Sequence, residues 1–176
     1  IFINHGGLSS HGMTLGILTT LFIYCYCKKI KISGLADAIV VVVPLLASFI
    51  RLGNYFNSEI LGKVTTMPWG VYFVRAEQFP LPRHPVVLYE AMATLLIFIL
   101  FYFLYKKYEG IWAKGSFSNI FLFVYFATRF CLEFFKESQT TWEGILTVGQ
   151  WLSLPFIIYS LIFYFYKKSR NFIPAV

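Results

Sequence analysis

The segment Leu35–Glu59, LADAIVVVVPLLASFIRLGNYFNSE, decides the class of this protein, because a long apolar run ends there in a group of polar side chains. A membrane-crossing α-helix needs about 20 mostly apolar residues at 1.5 Å each, and the part from Leu35 to Leu52 approaches that length. Arg51 lies at the end of the run. An ionisable side chain at the edge of a span costs free energy to place there, so Arg51 predicts a functional site with a partner for its charge. A candidate partner lies downstream, in a second charge cluster at Arg129 and Glu133.

The composition of the whole chain agrees with a membrane protein. The 176 residues are 58% hydrophobic, 20% aromatic and only 13% charged, with a mean hydropathy of +0.67. Such a chain has too little polar surface to cover a soluble globule of this size. The net charge of +7 comes from Lys and Arg in short clusters at the ends of apolar runs. That distribution favours contact with lipid headgroups and argues against a nucleic-acid partner.

Five stretches approach the length of a membrane span, which predicts an all-α, polytopic fold with about five transmembrane helices. These stretches are Leu8–Cys27, Leu35–Leu52, Val86–Tyr105, Phe117–Phe135 and Val148–Tyr166. The first stretch is marginal because it contains His11, and the second because it contains Asp37 and Pro44. No internal repeat is visible, so residues 1–176 are interpreted as one membrane-embedded domain with an outer loop at about 53–85.

Basic loop residues favour the cytoplasmic side of a membrane and therefore predict the orientation of the five spans. Clusters follow the first, third and fifth spans, at Lys28–Lys31, at Lys106, Lys107 and Lys114, and at Lys167, Lys168 and Arg170. If the five spans alternate in direction, all three clusters lie on one face of the membrane, which is therefore the cytoplasmic face. The amino terminus, the long loop and the carboxyl end of the fourth span then lie outside.

The outer half of the fourth span carries Tyr125, Arg129 and Glu133 at successive i,i+4 positions, so all three share one helix face. This spacing allows Arg129 to pair with Glu133, although the sequence leaves open which carboxylate pairs with which Arg. Because the predicted orientation also brings His11 and Arg51 to the outer side, His11, Arg51 and Arg129 are expected to meet near the outer leaflet.

Each of these residues also has a purely structural interpretation. An Arg near a span end can extend to the headgroups, and a lone His more often satisfies a helix end than acts as a base. Taken together with the polar, turn-rich stretch Gly53–Gly62, the set favours a binding site. That stretch contributes Asn54, Glu59 and Gly62.

Guanidinium groups match phosphate oxygens with two parallel hydrogen bonds, so two arginines at an outer membrane surface predict an anionic phospholipid as ligand. A His with a pKa of about 6.5 could accept a proton from an incoming nucleophile. The three cysteines lie in apolar runs with no His at metal-ligand spacing, which indicates small buried hydrophobes and predicts no metal.

The segment Leu81–Pro85 contains two prolines and predicts an extended approach to the third span, with Arg83 and His84 at headgroup level. Glu90 lies one turn into that span, inside an apolar run. It needs a partner, which an Arg of the core could supply.

Five ordered motifs carry a resemblance to a known family. They are GGLSSHG at Gly6–Gly12, RLGNYFNSE at Arg51–Glu59, LPRHP at Leu81–Pro85 followed by Leu88–Glu90, the stretch from Arg129 to Glu133–Phe135, and GQWLS at Gly149–Ser153. This order is similar to that of bacterial prolipoprotein diacylglyceryl transferases. The similarity extends from Gly6 to about Tyr166. Lys136 departs from the family pattern, which frequently has Arg there.

The resemblance implies an enzyme of the bacterial cytoplasmic (inner) membrane whose active site faces the outer leaflet. Such an enzyme moves the diacylglyceryl group of phosphatidylglycerol onto the thiol of the lipobox cysteine in a prolipoprotein signal peptide, and it releases glycerol phosphate. The full family architecture has seven spans, so two amino-terminal spans are expected in addition to these five. Metals and organic cofactors are not expected.

The resemblance also implies roles for individual residues. Arg51, Arg129 and His11 are the expected catalytic residues, with Arg51 also binding the lipid. The expected substrate-binding residues are Arg51, Asn54, Glu59, Gly62, Tyr125 and Glu133. The alternative is an inactive fragment, or a non-enzymatic membrane protein that binds anionic lipid or transports a solute. A transporter would be expected to show paired halves, and the sequence shows no repeat.

Overall fold

The computed structural model describes residues 10–112, 114–137 and 146–171, with the side chains of 10–14 and 168–171 outside the described part. The described helices are α1 (Ser10–Lys28), α2 (Ile32–Phe56), α3 (Val86–Tyr108), α4 (Ser116–Leu132) and α5 (Val148–Asn171). Within this part of the chain, α2 to α5 are long and apolar enough to cross a membrane, and the apolar part of α1, Leu15–Lys28, is shorter. The predicted all-α polytopic fold is confirmed.

Helix α2 is longer than the predicted Leu35–Leu52 because both of its charged residues find partners. The buried Asp37 carboxylate accepts hydrogen bonds from the backbone N–H of Gly115 at 2.6 Å and of Ser118 at 2.8 Å. These N–H groups belong to the start of α4, where a helix lacks internal acceptors and favours negative charge. The helix also continues through Gly53, which the sequence had assigned to the polar turn, and the outer loop therefore begins at residue 57.

The helices pack mainly as α2 against α3 and α4 against α5. The buried core contains Ile97 and Phe101 from α3 and Phe117 and Phe121 from α4. At most 39% of the residues in any of the four long apolar windows are buried inside the bundle. The remaining apolar surface matches the hydrocarbon of a bilayer. Burial was predicted for all three cysteines; Cys25 is buried, whereas Cys27 and Cys131 are exposed, so that prediction is wrong for two of them.

One end of the bundle collects basic residues and is called the lysine end here. Lys28 and Lys106 lie in the last turns of α1 and α3, and Lys167 Nζ donates to Ser116 Oγ at 2.8 Å, joining the end of α5 to the start of α4. Lys114 packs beside Gly34 near the start of α2. The opposite end, where α2 and α4 finish, is called the arginine end because it carries Arg51 and Arg129.

The loop between α2 and α3 forms a small platform at the arginine end. Strands β1 (Val71–Tyr72) and β2 (Pro82–Arg83) pair antiparallel, and Arg83 also bridges to Val64. A further bridge joins Gly62 to Lys136, just beyond α4. The segment before α3 is therefore extended, as predicted from its prolines, and the platform connects the two loops at this end.

Arg83 is buried inside the platform, where two carboxylates compensate its charge. Its Nη2 contacts Glu77 Oε1 at 2.5 Å, its Nη1 contacts Glu137 Oε2 at 3.0 Å, and Nη1 also donates to the carbonyl of Gly62 at 2.8 Å. The hydrogen bond from Arg83 holds the pKa of Glu77 below its ordinary value, against a smaller opposing effect of desolvation. The same bond raises the pKa of Arg83.

Candidate functional site

Arg51, at the end of α2, forms an ion pair with Glu90 in the second turn of α3. Arg51 Nε lies 2.8 Å from Glu90 Oε2, and the Glu90 side chain is only 6% exposed. The expectation that Glu90 pairs with an Arg of the core is confirmed. The expectation that the Arg129 and Glu133 cluster supplies the partner of Arg51 is wrong, since that partner is Glu90. Opposite charge on the facing helix offsets the cost of placing Arg51 within a span.

Lys136 extends the ion pair into a chain of four charges. Its Nζ lies 2.8 Å from Glu90 Oε1 and 3.1 Å from Glu133 Oε2, and its side chain is 6% exposed. The pair between Arg129 and Glu133 that the spacing allows is not among the ion pairs of the described chain. The α-helix ends at Leu132, and in the 3-10 turn Glu133–Phe135 that follows, Glu133 pairs with the residue three positions later.

Arg129 is half-buried and differs from Arg51, Arg83 and Lys136, because no carboxylate of the described chain lies within ion-pair distance of it. Arg51 and Arg129 both line two adjoining cavities, so the sequence-based expectation that the two arginines meet is confirmed. A guanidinium is always charged at working pH, and one without an anionic neighbour attracts an anionic ligand.

The two cavities differ in character. The polar cavity, of about 230 Å³, is lined by the two arginines together with Ile60, Glu133, Lys136, Glu137, Thr147, Val148, Gly149 and Leu152. The apolar cavity is narrower and continues into the bundle, lined by the arginines together with Glu90, Ala93, Thr94, Ile97, Tyr125, Thr128 and Leu132. The apolar cavity measures only about 20 Å³, so the polar cavity is the one with room for a ligand group, and both arginines reach it.

The amino terminus of α5 forms one wall of the polar cavity. Thr147 and Gln150 cap this helix end with reciprocal hydrogen bonds. The Gln150 N–H donates to Thr147 Oγ1 at 3.3 Å, and the Thr147 N–H donates to Gln150 Oε1 at 3.0 Å. This capping box leaves the positive end of the helix dipole at the cavity. Gly149 permits the close approach, because a Cβ on it would collide with the Glu133 carboxylate.

Asn54, Glu59 and Gly62 are not among the described residues that line the two cavities. The Asn54 side-chain amide donates to Glu59, and Asn57 Nδ2 donates to Glu59 Oε1 at 3.4 Å, so these residues stabilise the end of α2. Gly62 is buried, and its Cβ position is blocked by the carbonyl oxygen of His84. His11 lies in the first turn of α1, but its side chain is outside the described part of the chain.

Sequence reasoning missed Lys136 as a member of the site and did not say which Arg pairs with Glu90. A signal for Glu90 existed, because a carboxylate inside an apolar run requires a cation. Lys136 carried no comparable signal, since it follows the apolar run Phe134–Phe135 and resembles any basic residue at the end of a span. Its position depends on the 3-10 turn and on the bridge to Gly62.

Together these features define a polytopic helical membrane protein with paired arginines, one of them lacking an anionic partner in the described chain, between a polar and an apolar cavity. The chain belongs to the prolipoprotein diacylglyceryl transferase family, whose model matches residues 1–166.

Individual relatives agree with this assignment. The chain is 43% identical over 173 residues to the phosphatidylglycerol–prolipoprotein diacylglyceryl transferase of Bacteroides fragilis, covering 97% of the chain and 62% of that protein. It is 40% identical to the protein of the same name from Protochlamydia amoebophila, covering 93% of the chain and 46% of the relative. The likeness to the Tolumonas auensis protein of that name is also 40%, covering 89% and 61%. The chain thus spans roughly half to three fifths of the length of these relatives.

Proposed function

We propose that this chain transfers the diacylglyceryl group of phosphatidylglycerol to the thiol of the lipobox cysteine of a prolipoprotein signal peptide. The sulfur forms a bond to the carbon of the diacylated glycerol that carries the phosphate. The bond from that carbon to the phosphate oxygen breaks, and the phosphate leaves with the second glycerol as glycerol phosphate. The thiol proton passes to a base. The shared name of the relatives supports both substrates, and the four spans support a multi-pass membrane protein.

The observation that carries the proposal is the position of Arg51 and Arg129 at the junction of the two cavities. The polar cavity offers cationic side chains and a helix amino terminus to a phosphate, and Ile97, Tyr125 and Leu132 beside it present apolar surface to the adjoining part of the lipid. Arg129 is the arginine available to the phosphate, whereas Arg51 is oriented by Glu90. As glycerol phosphate leaves, negative charge grows on the oxygen that these groups would stabilise.

The remaining assignments rest on the resemblance together with the position of each residue. His11 is proposed as the base that removes the thiol proton, because it belongs to the first turn of α1, at the end of that helix away from Lys28. A thiol with an ordinary pKa of about 8.5 requires only modest help to ionise. Asn54, Glu59 and Gly62 would act by fixing the end of α2 and the platform, through which they support the arginine end.

The basic lysine end supports placing the arginine end, and with it the active site, at the outer leaflet of the bacterial cytoplasmic membrane. In that orientation a signal peptide that has crossed the membrane presents its cysteine on the side of the two cavities.

The proposal is tested by mass spectrometry of a lipobox peptide incubated with the chain in phosphatidylglycerol vesicles. We expect a diacylglyceryl adduct from the unmodified chain and a loss of at least about 100-fold in its rate of formation for Arg51→Ala and Arg129→Ala, the effect of removing one donor to a developing negative charge. Lys107→Gln, at the lysine end, is the matched control and should retain the rate. Unchanged transfer by Arg129→Ala would contradict the role given to the arginine pair.

A further inference from the structure

The loop between α2 and α3, residues 57–85, exposes large apolar side chains although it lies outside the spans. They are Met67, Trp69, Tyr72, Val74, Phe79 and Leu81, of which Phe79 is 84% and Val74 is 72% exposed. These side chains lie between two spans and not within one, so the hydrocarbon that surrounds the spans does not explain why they are apolar and exposed. Exposed apolar groups at this density mark a surface that contacts another apolar phase.

Three contacts fasten this loop against the ends of the two neighbouring helices. Trp69 Nε1 donates to the hydroxyl of Tyr89, in the first turn of α3, at 2.8 Å. Arg75 Nη1 donates to the carbonyl of Phe56, the last residue of α2, at 3.1 Å. The Phe73 ring packs edge-on against Tyr55, with centroids 6.0 Å apart. The loop is therefore held at the depth where α2 and α3 leave the hydrocarbon.

Burial alternates along the part of the loop that includes β1. Phe73 is 3% exposed and faces the helix, whereas its neighbours Tyr72 and Val74 are 59% and 72% exposed. Val74 follows β1 in a turn closed by the hydrogen bond from the Ala76 N–H to the Phe73 carbonyl. Tyr72 and Val74, together with Tyr55 and Phe73, line an open cleft of about 450 Å³ at the end of α2.

Charge in the loop favours an anionic surface. Glu77 is paired with Arg83, and Glu59 accepts hydrogen bonds from two Asn side chains. Lys63 and Arg75 are exposed and form no ion pair within the described residues. The two Asn side chains are neutral and leave the charge of Glu59 in place, so residues 57–85 carry a net charge of +1, from three basic and two acidic side chains. Basic residues near a membrane surface are attracted to anionic lipid.

From these observations we infer that the α2–α3 loop is a membrane-docking surface that lies in the headgroup layer at the arginine end. Trp69 and Tyr72 lie among the headgroups, Val74 and Phe79 insert into the upper part of the acyl chains, and Lys63 and Arg75 bind lipid phosphates. The partner is the bilayer itself, because the loop continues the apolar surface of α2 and α3 and is fixed at their ends. Aromatic side chains with one polar edge are typical of this layer.

The test uses Trp69 as a native fluorescent probe in vesicles of phosphatidylcholine and phosphatidylglycerol. In a variant with Trp112→Phe, Trp142→Phe and Trp151→Phe, only Trp69 emits. We expect its emission to be quenched by lipids brominated near the ester end of the acyl chain, less by lipids brominated near the methyl end, and little by aqueous iodide. A matched variant that retains only Trp112 is the control, because Trp112 is stacked between Tyr108 and Phe117 and should be poorly quenched by either lipid.

A second variant tests the anchoring residues without disturbing the fold. Val74→Ser and Phe79→Ser, added to the Trp69-only chain, change side chains that are already exposed, and we expect quenching by brominated lipid to fall roughly twofold or more. Strong iodide quenching of the Trp69-only chain would mean that the loop stands in water and would overturn the inference. Protection from both quenchers would mean that protein covers the loop, which also overturns it. The readout requires no turnover, so it is independent of the proposed transferase activity.

Discussion

Replacing Lys136 with Met should destabilise the protein by about 3 kcal/mol, the lower part of the range for removing one partner of a buried ion pair. Lys136 contacts Glu90 at 2.8 Å and Glu133 at 3.1 Å. Glu90 keeps its second partner, because Arg51 remains 2.8 Å away. Glu133 loses the cation that compensates its charge, and its side chain is only 11% exposed. The magnitude therefore reflects one uncompensated carboxylate instead of two.

The assay is the free energy of unfolding of the chain in mixed detergent micelles, measured by titration with a denaturing detergent. Lys136→Arg is the matched control, since it retains the positive charge, and it should lose less than half as much stability as Lys136→Met. A change of less than about 0.5 kcal/mol for Lys136→Met would show that Lys136 does not compensate a buried charge, because surface substitutions give changes of that size.

A double variant separates the lost charge from lost packing. If the uncompensated Glu133 carboxylate is the cause, Glu133→Gln should recover about 1–2 kcal/mol when it is added to Lys136→Met, within the range of couplings between contacting residues. If the cause is lost packing of the Lys136 methylene groups, the second substitution should bring no recovery.

Three further predictions concern other parts of the structure. Gly149→Ala should destabilise the protein by about 1–3 kcal/mol, because the added methyl group collides with the Glu133 carboxylate; Gly53→Ala, with open space around its Cβ position, should be neutral or stabilising in the same unfolding assay. Asp37→Asn should cost about 1–2 kcal/mol, because it weakens the bonds that satisfy the start of α4, and a wild-type stability would contradict that role. Glu77 has a folded-state pKa below its ordinary value of 4.5, so its contribution to stability is complete above that pH and is lost as the pH falls through the folded value. Hydrogen exchange of the loop amides should therefore accelerate in acid, and equal protection at neutral and acidic pH would exclude this contribution.

The sequence predicted the fold because hydrophobic runs of span length leave few alternatives. The predicted start of α3 at Val86 and of α5 at Val148 agrees with the structure, since Pro85 and the polar Thr147 each mark a start. The ends were less predictable. Helix α2 continues to Phe56 because Arg51 is neutralised by a residue 39 positions later, and a local pattern contains no information about that pair.

The candidate site was predicted only in part, again because spacing along the chain indicates local neighbours and not long-range pairs. An i,i+4 spacing correctly places Tyr125 and Arg129 on the face that lines the apolar cavity. The spacing also allowed an Arg129–Glu133 pair. Glu133 pairs instead with Lys136, which the 3-10 turn brings to it. Long-range contacts of the platform, such as the bridge between Gly62 and Lys136, cannot be read from spacing along the chain.

Arg129 is proposed to bind the phosphate of an anionic lipid at the arginine end. The most direct measurement is lipid retention: the chain is purified from vesicles containing equal phosphatidylglycerol and phosphatidylethanolamine, and the bound lipids are quantified by mass spectrometry. We predict that the unmodified chain and Lys107→Gln are enriched in phosphatidylglycerol, and that Arg129→Gln lowers the enrichment about tenfold, the effect of losing one hydrogen-bonded charge contact of about 1.4 kcal/mol. Equal enrichment in Arg129→Gln and in the unmodified chain would contradict the claim.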